Sequence, residues 1–501
     1  MSALFLGIDS GTQGSKVLII DRDQRTIVAE AYAAHELIED PHGKREQDPQ
    51  WWIAAISVAL QAAFKNGDLN PKDVRAIGVS GQQHGFVPLD KKGEVIRPAK
   101  LWCDTATAKE AAALTERLGG EAKVADAIGN ALAVGFTASK VAWLKQHEPA
   151  NYERLATMLL PHDYVNFWLT GERNTEFGDA SGTAYFDVRR RQWAKNVLRA
   201  IDDSGKLEEC LPALTPPDEP VGKIRSEIAR QFGFESSVLV AAGGGDNMMA
   251  AIGTGNVEAG VVTASLGTSG TIYSFAAAPV VDPQGELAAF CSSDGHWLPL
   301  VCTMNVTVAT ELTRALLNLD IAALNKNVAK AALGASGLLL LPYFNGERTP
   351  ALPQATATLF GINSTNYNAQ NLCRAAMEGA TFGLRYGLEV LKRYGIEQNN
   401  IRLVGGGAKS RVWRQIVADV FNCPVICPIT QEAGALGAAL QAMWCHAHAQ
   451  GEKISLKEIT DAFVSLDAAT SAAPNPQNVR AYDEIYAKYL ELDRQLRGMY
   501  G

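Results

Sequence analysis

Short apolar runs and glycine-bearing turns alternate with longer amphipathic stretches along most of the chain. Leu4-Phe5-Leu6-Gly7-Ile8 has the length of a buried strand and ends in Asp9-Ser10-Gly11-Thr12-Gln13-Gly14-Ser15-Lys16, after which Val17 to Asp21 is apolar again. Two such runs around a glycine-bearing turn predict a β-hairpin. Asp48-Pro49-Gln50-Trp51-Trp52 predicts a helix start, with Asp48 as N-cap and proline at the first helical position. Ala76 to Ser80 predicts a short buried strand running into Gly81-Gln82-Gln83-His84-Gly85. Val238 to Ala242 predicts another, opening into Gly243-Gly244-Gly245-Asp246-Asn247 and a small-residue helix from Met248 to Gly253.

The pattern then starts again. Val261 to Ser265 is a strand with the turn Leu266-Gly267-Thr268-Ser269-Gly270-Thr271 after it. Leu338 to Tyr343 is a buried strand, and Ile401 to Val404 is another that ends in Gly405-Gly406-Gly407-Ala408-Lys409-Ser410. A strand with a Gly-Thr turn and a strand with a Gly-Gly-Gly turn each occur twice in the same order, which points to duplicated α/β domains facing each other. The expected division is 1–251, 252–446 and a helical extension over 447–501. In the extension Tyr482, Tyr486 and Tyr489 recur at helical spacing, so Pro476 to Leu496 reads as a closing helix packed on the body.

Composition narrows the classes. The 501 residues are 47% hydrophobic and 20% charged, which excludes a disordered or low-complexity chain and calls for more than one domain. The net charge is −8 and only Arg189-Arg190-Arg191 groups three basic residues, so neither nucleic acid nor an anionic membrane is an expected partner. The 8 cysteines are scattered without a Cys-x-x-Cys pair, as expected of thiols in a reducing compartment. No basic region and apolar core follow Met1, and no apolar run approaches the ~20 residues that span a bilayer, so the expected location is the cytoplasm.

Several turns carry chemistry. Around Gly11, backbone N–H groups can face an anion, and Thr12, Ser15 and Lys16 can add donors to a phosphate. Asp9, at the strand end, can hold the water shell of a magnesium ion. Asp9 to Thr12 also has the form of an aspartic-protease tetrapeptide, but that chemistry needs a second aspartate, and the echoing turn has Ser265 there. Gly267 and Thr268 supply a second phosphate-facing turn, so two domains can clamp one triphosphate. No Gly-x-x-x-x-Gly-Lys-Ser/Thr segment supports a P-loop. Asp246 follows a stretch that approaches a ligand closely; it either accepts a proton from a hydroxyl attacking phosphorus or merely caps the next helix. Gly405 to Ala408 suits close passage of an adenosine, or close helix–strand packing. Gln83 and His84 together offer donors and acceptors suited to a polyol.

Two long segments complete the picture: Gly135-Phe136-Thr137-Ala138-Ser139-Lys140-Val141-Ala142-Trp143-Leu144-Lys145-Gln146-His147, and Leu359-Phe360-Gly361-Ile362 through Ala375-Ala376-Met377-Glu378. With these the chain resembles the FGGY carbohydrate kinases of the actin-like ATPase superfamily, from Gly7 to about Trp444. The resemblance implies an α/β fold of two duplicated ribonuclease H-like domains with a cleft between them, 1–251 binding sugar and phosphate and 252–446 binding nucleotide. It implies ATP-dependent phosphorylation of a small-molecule sugar. Within the family, Gly81 to Gly85, Leu101-Trp102-Cys103-Asp104, Gly243 to Asn247 and Gly346-Glu347-Arg348-Thr349-Pro350 favour a pentulose, D-xylulose, over ribulose, gluconate, fuculose, a ketohexose or glycerol. Carried over residue by residue, Asp246 is the proton acceptor, and Gln83, His84, Trp102 and Asn247 lie at the sugar. Gly11, Thr12, Gln13, Lys16, Gly267 and Thr268 hold the ATP phosphates, and Gly406, Gly407 and Ala408 the adenosine. Mg2+ sits at Asp246 and, through water, at Asp9. A homodimer is implied by the same analogy. Departures from the family pattern are Ala106 after Asp104, Thr356-Ala357 before the second segment, and the lack of Trp over Asn305 to Arg314. The alternative of another class is an actin-like ATPase that is not a kinase, whose turnover no sugar would affect.

Overall fold

The computed structural model describes residues 3–500. The predicted hairpin is present: β1 (Leu4–Ser10) pairs antiparallel with β2 (Gly14–Asp21), and β3 (Thr26–Ala34) continues the meander. Helix α1 (Pro49–Gly67) begins as its residues require, with the Asp48 carboxylate accepting the Gln50 N–H at 2.9 Å. Its buried face, Ile56 and Leu60, packs with Ile8, Val17 and Ile19. Strand β4 (Val74–Gly81) then pairs parallel with β1, bringing Gly81 level with Ser10. Helices α2 (Thr137–His147) and α3 (Pro161–Thr170) follow, then β5 (Pro220–Lys223), β6 (Leu239–Ala241) and α4 (Asp246–Gly253). The first sheet runs β5-β6-β4-β1-β2-β3.

The second sheet is built from β7 (Gly260–Ser265), β8 (Gly270–Ser274) and β9 (Leu300–Thr303), then, after the long helix α5 (Ala369–Arg393), from β10 (Gln398–Val404). Helix α6 (Arg411–Phe421), β11 (Val425–Pro428), α7 (Ala433–Ala449), β12 (Leu466–Ala472) and α8 (Pro476–Leu496) complete the chain. The order is β9-β8-β7-β10-β11-β12. Along β3-β2-β1-β4-β6 and along β9-β8-β7-β10-β11 the neighbours are antiparallel, antiparallel, parallel and parallel. The duplication inferred from the turns is therefore a duplication of topology.

The equivalences differ from the sequence echo. The match of β10 is β4, so Gly405–Gly407 corresponds to the loop after Gly81, and Gly243–Gly245 corresponds to the chain after β11. The repeated Gly-Gly-Gly marks two separate close approaches of backbone, a local need that does not report strand position. Helices α4 and α7 are the true counterparts, and they pack on each other through glycines: a Cβ on Gly253 would lie 1.9 Å from Ala433 O, and one on Gly437 1.8 Å from Met249 O. Helix α7 also lies on the first sheet, with Gly7 and Gly78 at its surface; Cβ atoms there would lie 1.7 Å from Ala435 O and 2.0 Å from Ala438 O. The two halves of the chain are thus joined by helices that only glycine allows to approach.

The stretch read as a helical extension contributes an edge strand, β12, because Leu466–Ala472 has too weak an alternation to announce itself. The closing helix is as expected. Tyr482, Tyr486 and Tyr489 are buried, with ring centroids 5.5–6.0 Å from that of Phe382 on α5. Leu339–Leu341, the predicted buried strand, pairs with Thr358–Phe360 in a small separate sheet.

Candidate active site

Both halves of the chain line one cavity of about 460 Å³. Gln83, His84, Trp102, Asp246 and Asn247 reach it from the first half, and Ser265, Ser269, Phe290 and Arg348 from the second. A cavity of that size suits a small metabolite. Asp246 stands at the first residue of α4, where β6 has opened through Gly243 at φ +74°. Its Oδ1 accepts the Asn247 backbone N–H at 2.8 Å and the Asn247 amide at 2.9 Å. The same amide donates to Gln83 Oε1 at 2.8 Å, so Gln83 and the carboxylate are tied through one side chain. Burial, and then the Asp9 carboxylate, pushes the Asp246 carboxyl up to about 7.

Asp9, at the end of β1, is likewise raised, by burial first; Ser80 Oγ donates to it at 2.7 Å and Lys16 opposes the rise. The first turn of α7 abuts it, a Cβ on Gly434 falling 3.0 Å from Asp9 Cγ, so the positive end of that helix faces the carboxylate. Among the described residues no group of three or more His, Cys, Asp or Glu is placed to hold a metal. Two half-buried carboxylates of like charge do suit magnesium, which is held by one or two carboxylates with phosphates and water completing the shell.

His84 has φ +62°, an uncommon conformation for a residue with a side chain, and Gly182 makes room for its ring: a Cβ there would lie 1.8 Å from Nδ1. The ring packs on Phe136 and Phe290, with centroids 4.7 and 5.7 Å away. Burial, followed by the cations Lys140 and Arg348, holds the imidazole well below its usual range, so it is neutral. Thr137 of α2 donates to His84 O at 3.2 Å, which anchors the first long segment of the sequence to the His84 loop. Behind these loops His162, Asp163, Glu176 and Asp179 are buried together. Cβ atoms on Gly81 and Gly243 would meet His162 at 2.8 and 3.3 Å.

The first turn has partly different roles from those expected. Trp102 Nε1 donates to Thr12 Oγ1 at 3.0 Å, and Thr12 Oγ1 donates to Gln82 Oε1 at 3.2 Å, so this hydroxyl braces the two loops. Ser15 is buried and bonded to Ser10 at 3.1 Å. Lys16 pairs with Glu432, at the start of α7. Gln13 is exposed and its carbonyl takes the Tyr32 hydroxyl at 3.0 Å. In the second half the predicted turn and glycine loop do lie together: Gly407 N donates to Leu266 O at 3.0 Å, and the exposed Thr268 is next to them in the chain. Gly405 has φ +86°, and around Gly406 a Cβ would meet nothing within 4 Å, which leaves an open cradle. The buried Ala408 closes it. Ser265, Ser269, Phe290 and Arg348 were missed as cavity residues; Arg348 was visible only within the Gly346-to-Pro350 motif.

A two-lobed α/β body with a cavity lined by both halves matches known proteins along its length. The N-terminal domain of the FGGY family of carbohydrate kinases matches residues 4–253 and the C-terminal domain residues 262–446; the chain belongs to this family. It is thus an enzyme that phosphorylates a carbohydrate. A xylulose kinase of Haemophilus influenzae is 47% identical over 491 residues, 97% of this chain and 99% of that protein. A xylulose kinase of Escherichia coli is 32% identical over 98% of this chain and 99% of its own. The crystal structure of a xylulose kinase from Bifidobacterium adolescentis has a TM-score of 0.84 at 33% identity, covering 97% of this chain and 99% of that one. A gluconate kinase from Lactobacillus acidophilus has a TM-score of 0.92 at 23% identity, covering 100% and 99%, a likeness of fold alone. No helix among the described residues is long and apolar enough to cross a membrane.

Proposed function

We propose that the protein transfers the terminal phosphoryl group of ATP to the terminal hydroxyl of a pentulose, D-xylulose, giving D-xylulose 5-phosphate. The observation that carries this reading is the 47% identity to a xylulose kinase across nearly the whole of both chains. The cavity supports it. Asp246, poised near neutrality, accepts the proton of the attacking hydroxyl, and Asn247 orients the carboxylate while holding Gln83 beside it. Gln83, the neutral His84 and Trp102 bind the sugar. The turns at Gly11–Gln13 and Gly267–Thr268 face the phosphates, with Lys16 exchanging Glu432 for them, and Gly406 to Ala408 receive the adenosine. Asp9 and Asp246 would hold magnesium, which when bound neutralises charge on the phosphates. Closing the lobes excludes water from the phosphoryl group and limits hydrolysis. The cytoplasm, where ATP is supplied and the eight free cysteines stay reduced, is the proposed location.

A coupled ADP-release assay over D-xylulose, D-ribulose, L-fuculose, D-gluconate, D-fructose and glycerol tests the reading. D-xylulose is expected to give the highest kcat/KM. A higher value for another sugar would move the assignment within the family, and ATP turnover indifferent to all of them would overturn it.

A further inference from the structure

We infer that Arg348 is a specificity-determining residue: the second lobe uses its guanidinium to read the carbonyl end of the sugar, opposite the end that is phosphorylated. Arg348 is the one Lys or Arg among the residues lining the cavity. It is exposed there, and among the described residues it forms no ion pair. Glu347, its neighbour in sequence, and Glu286, which also lines the cavity, are engaged elsewhere. Glu347 accepts the backbone N–H groups of Met304 at 2.7 Å and of Arg348 itself at 2.8 Å, and the Asn305 amide at 3.2 Å. Glu286 pairs with Arg393 at 2.9 Å and with the Tyr386 hydroxyl.

The loop that presents the residue is held firmly. Asn305 Nδ2 donates to Gly346 O at 2.7 Å, and Thr349 Oγ1 donates to Glu286 O at 3.0 Å. A guanidinium on a fixed loop, pointed into a cavity without a carboxylate partner, has five donors to offer and no internal acceptor that uses them as an ion pair. Its charge is felt by His84 and Cys302, and the Glu286 carbonyl that Thr349 Oγ1 bonds lies four residues before Phe290, whose ring packs on His84 with centroids 5.7 Å apart. This places Arg348 at the His84 end of the cavity. Neutral His84 and cationic Arg348 therefore face the same part of the substrate from different lobes. A ketose offers oxygen acceptors there, a carbonyl flanked by hydroxyls, and an arginine can bond two of them at once. The sugar would then bridge the lobes.

This inference rests on the proposed sugar-kinase reading, and its test separates the two. Steady-state kinetics of the full chain are measured for wild type, Arg348→Gln and Arg348→Lys, with D-xylulose and 1-deoxy-D-xylulose, or with whichever sugar the panel selects and its analogue lacking a hydroxyl at the carbonyl end. Arg348→Gln is expected to raise the sugar KM at least about tenfold while the ATP KM stays within about twofold, and Arg348→Lys to recover part of the loss. Wild type should discriminate against the deoxy analogue, and Arg348→Gln should lose most of that discrimination. An unchanged sugar KM, or a rise in the ATP KM instead, overturns the inference. A wild type that turns over no sugar overturns the kinase reading as well. Because the side chain is exposed and forms no ion pair, its one side-chain bond among the described residues being to the Cys302 thiol, melting temperatures should agree within a few degrees; a variant that melts far lower would show that Arg348 supports the fold, which also counts against the inference.

Discussion

His162 Nδ1 stands 2.6 Å from Asp179 Oδ2, with both side chains sealed from solvent and Asp163 Oδ1 3.1 Å from the other ring nitrogen. Burial alone would strip the imidazole of its proton. The carboxylates of Asp163 and Asp179 outweigh burial and push its pKa up to about 9, while burial lifts Asp163 and Glu176 to about 7. A histidine raised above its unfolded value stabilises fully below about pH 6.5, and that contribution is lost as pH rises through 9. The raised carboxyls act in the same direction at lower pH, their contribution being lost as pH climbs from about 4 through 7. Stability should fall by roughly 2–3 kcal/mol between pH 6.5 and 9.5. Thermal melts across that range check it: His162→Gln should be less stable at pH 6 and have a flatter alkaline slope. An equal slope in wild type and variant would place the titration elsewhere.

Asp246→Asn keeps the shape of the side chain and its bond from the Asn247 N–H but cannot take up a proton. We expect kcat to drop by about 10²–10⁴-fold with the sugar KM within a few-fold. Sugar binding followed by intrinsic tryptophan fluorescence should persist. Near-normal turnover would remove Asp246 from the role of base.

Lys16 and Glu432 join the first Gly-Thr turn to the start of α7, and both are partly exposed. Such a pair contributes little to stability. If Lys16 serves the phosphates, Lys16→Met should raise the ATP KM about tenfold and leave the sugar KM alone, whereas Glu432→Gln should not raise it. A permanent ion pair would instead make the two variants alike.

Two glycines separate folding from binding. Gly7→Ala drives a Cβ into the backbone of α7 and should cost at least about 3 kcal/mol in urea unfolding. Gly406→Ala meets nothing, so its stability should match wild type within about 1 kcal/mol, while its ATP KM rises because the cradle is narrowed. A Gly406→Ala variant with an unaltered ATP KM would take the adenosine away from this loop.

Much of this protein was legible one segment at a time. The hairpin around Gly11, the Asp48 cap, the tyrosine-lined closing helix and the carboxylate after Gly243–Gly245 follow from periodicity, capping and turn chemistry, which are local properties and therefore written locally. The long segments at Gly135–His147 and Leu359–Glu378 were enough to place the chain among carbohydrate kinases. What they could not convey was which strands are equivalent, that α7 lies on the first sheet, and that Thr12 and Ser15 direct their hydroxyls to protein partners.

Arg348 and His162 show why. Arg348 gains its role by facing His84 across two lobes, and His162 by burial in which its sequence neighbour Asp163 is joined by Glu176 and Asp179 from elsewhere in the chain. Composition and pattern determined the two α/β halves, their turns and the residue types available for phosphoryl transfer. Only the tertiary structure decided which charges are neutralised, which remain free and which face the cavity, because pairing and desolvation depend on distances between residues up to hundreds of positions apart.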